Sequence, residues 1–178
     1  MDIFAHGLWP LVAAKAAKKK IKLNLKAVFF WGVFPDLFAF TPIFAWLLWR
    51  RFFTGQNYFN GLNPQTLNES TNFMHGLTNT LYQLSHSLIV ATLIILFVAW
   101  IFRQKTWPLL AWLLHILIDI PTHSLSFYPT PFLWPISDFR FAGLSWAQPW
   151  FLVINYSALV LVFSVLFIAK RKKLINKN

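Results

Sequence analysis

The chain has 178 residues, of which 57% are hydrophobic and 12% charged, and its formal net charge is +11. A soluble domain of this size cannot shield so much apolar surface from water, so the composition predicts one compact domain, residues 1–178, embedded in a membrane. The sequence contains no cysteine, which excludes disulfides, thiolate nucleophiles and cysteine-ligated zinc sites.

The basic residues lie at the ends of apolar segments and not along an exposed face. Most form a cluster from Lys15 to Lys26, a pair at Arg103 and Lys105, and a tail at residues 170–178, whereas Arg50 and Arg51 lie at the predicted outer end of the first span and Arg140 in an outer connection. This distribution follows the positive-inside rule, so we expect all three clusters to face the cytoplasm, and we expect no nucleic-acid partner. The first lysine cluster follows the first apolar segment, which is not the order of a cleaved signal peptide.

The first two predicted elements differ in length. Ile3–Ala17 is short, and it predicts an amphipathic helix that is inserted halfway into the membrane. Ala27–Trp49 is long enough to cross a bilayer, but Gly32, Pro35 and Pro42 lie inside it. Because proline removes a backbone donor and clashes with the preceding turn, we expect this helix to be bent or broken.

Three further apolar segments follow, at Leu81–Phe102, Trp107–Pro121 and Trp150–Ala169. The last has no charged residue and is the plainest transmembrane helix. Under the positive-inside rule, the connections Phe52–Ser85 and Ser124–Gln148 lie outside and cover the bundle. The sequence therefore predicts an all-α bundle of about four transmembrane helices plus the N-terminal half-inserted helix.

Ionisable residues interrupt the segment Trp107–Pro121. His115 and Asp119 are four residues apart, so they share one face of a helix, and His123 would lie one turn further along. Ionisable groups inside membrane segments are usually functional, and imidazole with carboxylate at this spacing can hold a divalent ion. With no lysine or arginine nearby in the sequence, Asp119 needs a neutralising partner, which a cation would supply.

Other apolar segments carry further ionisable groups at similar predicted depth: His6, Asp36 and His86. We expect them to join the same cluster. Taken singly, His6 or His86 can instead be an interhelical hydrogen-bond partner, and Asp36 can instead cap a helix that resumes after Pro35.

Five motifs together resemble the YdjM-like family of membrane-bound metal-dependent hydrolases, some of which are under LexA control. In chain order they are His6, Gly32-Val-Phe-Pro35-Asp36-Leu37, Ser85-His86-Ser87-Leu88, His115-x-x-x-Asp119-x-x-Thr122-His123 and Phe132-Leu133-Trp134-Pro135. The resemblance covers residues 2–140, and leaves out the helix at 150–169 and the tail. The family usually has a second histidine a few residues before the Ser-His-Ser element, whereas His75 here lies eleven residues before His86.

The resemblance implies a metal cluster in a bacterial inner membrane, held by His6, Asp36, His86, His115 and Asp119, with His123 as a further candidate. Histidine-rich ligation favours Zn²⁺ or Mn²⁺, about one to three ions. A fainter similarity, in the His-x-x-x-Asp motif with its trailing histidine, links the chain to zinc-dependent phospholipase C and the S1/P1 nucleases. It favours phosphoesters over peptides as substrates.

The sequence thus predicts a metal-dependent hydrolase, a phosphoesterase that acts on a lipid or another substrate at the outer membrane face. Asp36 or Asp119, if one of them is not a ligand, is the candidate general base, and Arg140 is the candidate phosphate clamp, or otherwise an interfacial anchor. No Gly-x-Ser-x-Gly motif is present, so a serine hydrolase is not expected. The alternatives are a proton or metal-ion transporter that uses the same cluster, and a structural membrane protein stapled by a metal. Homo-oligomerisation is left open.

Overall fold

The computed structural model describes residues 1–17, 24–53, 55, 69–103 and 106–175. All regular structure in these residues is helical: α1 (Ile3–Ala17), α2 (Leu25–Phe53), α3 (Glu69–Ser85), α4 (Leu88–Phe102), α5 (Leu110–Thr122) and α6 (Pro149–Ile175). A 3₁₀ turn at Trp107–Leu109 leads into α5. Residues 54 and 56–68 of the first predicted outer connection lie outside the described residues. So do Lys18, Lys19, Lys20, Lys22, Lys105 and Lys177 of the basic clusters.

Two helices in the described part of the chain, α2 and α6, are long and apolar enough to cross a membrane. A third crossing results if α3 and α4 are counted as one bent span. The prediction of about four transmembrane helices is therefore wrong, because the predicted span Trp107–Pro121, which forms the 3₁₀ turn and α5, is too short. The 13 residues of α5 fall well below the roughly 20 residues that a bilayer core requires.

The predicted single helix Leu81–Phe102 is also wrong, since the chain breaks inside it. Helix α3 ends at Ser85, α4 begins at Leu88, and the two axes differ by 62°. The Ser87 hydroxyl accepts a hydrogen bond from the Val90 amide at 3.2 Å, which caps α4, and it donates to the Trp134 carbonyl. His86 is consequently held in a break between two helices.

Helix α1 has the predicted bounds, but its apolar residues are not confined to one face, so the expected amphipathic pattern is wrong. The reason lies in its packing, since α1 contacts α2, α5 and α6. Its contact with α2 is close at Gly32, where an added Cβ would lie 2.4 Å from the His6 carbonyl oxygen. We expected α2 to be bent or broken at its prolines, and the structure shows that it is not broken, since it continues through Pro35 and Pro42.

Helix α5 lies at the centre of the bundle, in contact with α1, α2 and α4. The following connection runs back along its end. There the Gly143 amide donates to the His123 carbonyl at 3.0 Å and the Leu144 amide donates to the Pro121 carbonyl at 2.9 Å. The end of α5 is therefore fixed by backbone hydrogen bonds from the segment that leads to α6.

Candidate metal centre

Helix α5 supplies two adjacent functional side chains, His115 and Asp119, and both are fully buried. They lie one turn apart, with 3.2 Å between His115 Nε2 and Asp119 Oδ2. His123, the C-cap of α5, lies beyond them, and its Nε2 is 3.2 Å from Asp119 Oδ1. The periodicity of the sequence thus places all three on one side of the helix, as expected.

Two other parts of the chain bring further donors to this pair. Asp36 comes from the middle of α2, directly after Pro35, and His86 comes from the break between α3 and α4. One ligand atom from each of Asp36, His86, His115 and Asp119 lies within 4.8 Å of the others, so the group could hold a metal ion. We call these four residues the donor group.

The spacing within the donor group can be compared with known coordination geometry. His115 Nε2 lies 3.1 Å from His86 Nε2 and 3.7 Å from Asp36 Oδ1. His86 Nε2 lies 3.4 Å from Asp36 Oδ1 and 3.6 Å from Asp119 Oδ2. In a tetrahedral zinc site with bonds of about 2.0–2.1 Å, neighbouring donor atoms are about 3.3 Å apart. The donor group therefore fits around a single small divalent ion.

Hydrogen bonds outside the donor group orient its imidazoles. His115 Nδ1 lies 2.7 Å from the Gly32 carbonyl oxygen. A carbonyl can only accept, so Nδ1 carries the proton of the neutral ring and the Nε2 lone pair points into the donor group, where it could bind a cation held between the carboxylates. The Ser85 hydroxyl lies 2.9 Å from His86 Nδ1 and orients that ring in the same way. Partners of this kind are typical of metal-binding histidines.

The second oxygen of Asp119 faces a different set of nitrogens. His6 Nε2 lies 2.9 Å from Asp119 Oδ1, yet both ring nitrogens of the buried His6 are without a hydrogen-bond partner among the described residues. The His6 ring stacks on His115 with 3.7 Å between centroids. The Met1 amino group contacts Asp119 Oδ1 and lies 3.0 Å from His123 Nε2. The Asp119 carboxylate thus stands between two sets of nitrogen donors.

The charge of the two carboxylates is balanced by few groups. The described ion pairs of Asp36 and Asp119 involve histidines and the Met1 amino group, and none involves a lysine or arginine. Asp119 Oδ2 is buried and has no hydrogen-bond donor within the described structure. A buried carboxylate oxygen in that state is costly, and a bound cation would remove the cost.

Two other ionisable residues near the predicted site lie outside the donor group. Asp2 Oδ1 accepts from the Phe4 and Ala5 amides at 3.1 Å, so it caps α1. The same oxygen accepts from the Tyr156 hydroxyl at 2.7 Å. His75 lies on α3, and not in the polar connection where the sequence placed it, and it does not belong to the donor group.

Arg140 lies apart from the donor group, on a cleft of about 370 Å³. Polar side chains make up much of its lining, including Asn79, Gln83 and Tyr128. Arg140 has weak partners of its own: Nη1 donates to the Phe139 carbonyl at 3.3 Å, and Nη2 lies 3.9 Å from the exposed Asp138 carboxylate. Its guanidinium group is therefore available to an anion in the cleft.

Tyr82 connects the cleft to the donor group, and the sequence analysis missed it. Its ring lines the cleft and stacks on His86 with 3.9 Å between centroids, while its hydroxyl donates to the Tyr128 carbonyl at 2.8 Å. The same carbonyl accepts from His123 Nδ1 at 2.8 Å. Burial raises the pKa of the Tyr128 phenol above its ordinary value, which already keeps the phenol protonated at neutral pH. The spacing of four residues between Tyr82 and His86 is the signal that could have found this contact.

Comparison with known proteins gives no match, neither to a family model nor to a curated protein or a solved structure. The chemistry of the site is therefore inferred from its own geometry.

Proposed function

We propose that the chain is a metal-dependent hydrolase of a membrane, which cleaves a phosphoester in a lipid or in another substrate at the membrane surface. The observation that carries this proposal is the donor group itself. Its two imidazoles and two carboxylates come from three separate parts of the chain and lie within 4.8 Å of one another. Converging buried donors of this kind are usually functional.

The donor group favours a particular class of ion. Imidazole nitrogens suit Zn²⁺ and Mn²⁺, whereas Mg²⁺ and Ca²⁺ prefer shells made of oxygen. We assign one ion to Asp36, His86, His115 and Asp119. His6 and His123, on the other oxygen of Asp119, are the candidate ligands for any further ion. When bound, such an ion acts as a Lewis acid and lowers the pKa of water toward about 7.

The residues of the donor group differ in their access to water. His86, His115 and Asp119 are fully buried, whereas the Asp36 side chain is 15% exposed. A general base must reach the water whose proton it takes, so we assign that role to the Asp36 oxygen other than Oδ1, while Oδ1, which faces His86 and His115, is the ligand atom. The buried hydrogen bonds of His115 to Gly32 and of His86 to Ser85 keep both rings oriented during the reaction.

The preference for a phosphoester rests on the cleft that contains Arg140. Guanidinium groups bind phosphate oxygens through two parallel hydrogen bonds, and Arg140 has only weak partners within the described structure. Tyr82 lies between this cleft and His86. Tyr82 would thus lie between a phosphate in this cleft and His86 of the donor group.

The proposed location is a bacterial inner membrane, and it rests on two supports. Helices α2 and α6 are long and apolar enough to cross a bilayer, and the five motifs resemble a family of inner-membrane hydrolases. Lys170, Arg171 and Lys172 at the end of α6 place that end in the cytoplasm under the positive-inside rule. The start of α6 and the donor group then lie toward the outer face.

The proposal is tested with purified protein loaded with Zn²⁺ or Mn²⁺ and assayed against phosphate monoesters, phosphate diesters and phospholipids. We expect metal-dependent release of phosphate or of a phosphorylated headgroup. Asp36→Asn should lower kcat at least about 100-fold, since general bases contribute that much. Asp138→Asn, which alters an aspartate that is 94% exposed, is the matched control and should keep full activity.

Two results would contradict the proposal. The first is a metal-loaded protein that folds and turns over no member of the panel. The second is metal or proton flux through liposomes that contain the protein, abolished by Asp36→Asn, which would identify a transporter that uses the same group.

A further inference from the structure

A second cavity, also of about 370 Å³, lies between α1, α5 and α6. Its lining consists of Trp9, Val12, Ala13, Leu114, Ile118 and Asn155, together with Met1. Asn155 is the one amide in a lining that is otherwise mostly aliphatic. We call this cavity the α1–α6 groove.

Asn155 has one satisfied and one unsatisfied polar atom. Its side chain is buried, with 6% of the residue exposed, and Oδ1 accepts a hydrogen bond from Trp9 Nε1 at 2.9 Å. An indole nitrogen can only donate, so this contact fixes which end of the amide faces Trp9. Nδ2, a donor, is left buried with no acceptor in the described part of the chain. Such a donor in an apolar environment is stabilised by an acceptor, which a molecule bound in the groove could supply.

The α1–α6 groove ends beside the metal centre. Met1 borders the groove, while its amino group contacts Asp119 and lies 3.0 Å from His123 Nε2. The groove therefore leads from the apolar seam between α1 and α6 to the donors around Asp119. Asn155 lies in the first half of α6, remote from the basic residues at its end.

We propose that the α1–α6 groove binds an acyl chain of an ester lipid, whose ester carbonyl accepts a hydrogen bond from Asn155 Nδ2. An aliphatic groove fits the chain, and a carbonyl oxygen is the acceptor that a fixed amide N–H lacks. The headgroup end of the same lipid would then lie next to Asp119 and His123. That this lipid is the substrate rests on the proposed function, whereas its binding does not.

Native mass spectrometry with two lipid probes tests the inference. One probe is diacyl phosphatidylglycerol, and the other is its diether analogue with the same headgroup and chain length, which lacks the carbonyls. Metal is removed with a chelator so that no turnover competes with binding. We expect the diacyl lipid to bind about fivefold more tightly, the value of one hydrogen bond of ordinary strength.

Two variants locate the preference. Asn155→Leu should lower affinity for the diacyl lipid to that for the diether lipid and leave the diether lipid unaffected. Ser157→Leu, a matched change at an exposed position of α6, should keep the fivefold preference. If Asn155→Leu does not fold, the comparison of the two lipids on the unaltered protein still decides.

Equal affinity of the unaltered protein for both lipids would overturn the inference, as would a preference that survives Asn155→Leu. The outcomes separate from those of the proposed function. Phosphoester turnover without a preference for the diacyl lipid would contradict lipid binding in the α1–α6 groove and leave the proposed hydrolase function intact. A preference for the diacyl lipid without turnover would support lipid binding in the groove and contradict the proposed hydrolase function.

Discussion

Helices α5 and α6 differ in the structure, although both were predicted to cross the membrane. Helix α6 is suited to contact lipid, whereas α5 carries buried residues of the candidate site. Helix α6 is long and apolar, and only 11% of its most hydrophobic window is buried inside the protein. Helix α5 has 13 residues and is too short to cross a bilayer, yet it carries the fully buried His115 and Asp119. The helix best suited to contact lipid has no part in the donor group, and the helix that supplies half of the donor group buries its ionisable face against α1, α2 and α4.

The difference follows from the cost of burying charge. An ionisable group that faces lipid is expensive, so a helix that carries such groups must be surrounded by protein. Contacts with α1, α2 and α4 provide that enclosure for α5. Exposed apolar residues on α6, such as Val160 and Leu161, can face lipid without penalty. Between these two helices, hydropathy therefore identifies the one that is long and apolar enough to cross a membrane, and burial identifies the one that carries part of the candidate site.

The largest expected effect comes from removing a donor on α5. His115→Ala deletes a ligand of the donor group, so we expect affinity for Zn²⁺ to fall by more than about 100-fold, the upper range seen for supporting residues. Competition with a chromogenic chelator measures it. His75→Ala, which alters a histidine of α3 outside the donor group, is the control and should retain the ion. Equal zinc affinity of the His115→Ala and His75→Ala variants would show that His115 on α5 is not a ligand.

The enclosure of α5 depends on the close contact between α1 and α2. In Gly32→Ala the new Cβ would lie 2.4 Å from the His6 carbonyl oxygen, so the two helices must separate. We expect a loss of about 2–3 kcal/mol in the free energy of unfolding, as for other overpacked sites. Unfolding in mixed micelles measures it. Gly76→Ala, where nothing lies within 4 Å of the added carbon, should change stability far less, and similar losses in both would contradict the role of the contact.

The two faces of α6 can be compared directly. Leu159 is 2% exposed and packs near α1, whereas Leu161 is 64% exposed. Leu159→Ala leaves a cavity, so we expect a loss of about 2 kcal/mol in the free energy of unfolding. Leu161→Ala should change it by less than about 0.5 kcal/mol. If both variants lose the same stability in mixed micelles, α6 is not packed through one face.

The smallest expected effect concerns a residue that only orients a ligand. Ser85→Ala removes the hydroxyl that lies 2.9 Å from His86 Nδ1, and we expect affinity for Zn²⁺ to fall about tenfold. Ser124→Ala, at a serine beyond α5, is the control and should have no effect on affinity. A loss as large as that of His115→Ala would instead mean that the break between α3 and α4 collapses without Ser85.

Much of the candidate site could be predicted from the sequence because its residues stand out against their surroundings. His115 and Asp119 are ionisable groups in an apolar segment, and a helical period places them on one face. Their approach to His6, Asp36 and His86 was expected as well, and the structure brings all five into one cluster. Whether these residues bind a metal in the protein stays a prediction.

The number of crossings could not be predicted, because hydropathy does not reveal where a chain turns. The break at His86 depends on the Ser87 hydroxyl and on the Trp134 carbonyl, which lies far away in the sequence. The continuity of α2 through Pro35 and Pro42 is set by packing against α1, α3 and α5. The Gly32 carbonyl was missed for the same reason, since it orients His115, which lies in a distant segment of the chain.

The tripeptide Ser85-His86-Ser87 couples the evolution of the fold to that of the candidate site. The same three residues hold one imidazole in place and turn the chain through 62°. A substitution that changes the direction of α4 would therefore also move His86, and one that moves His86 would change the direction of α4. The direction of α4 and the position of the His86 imidazole are therefore expected to evolve together.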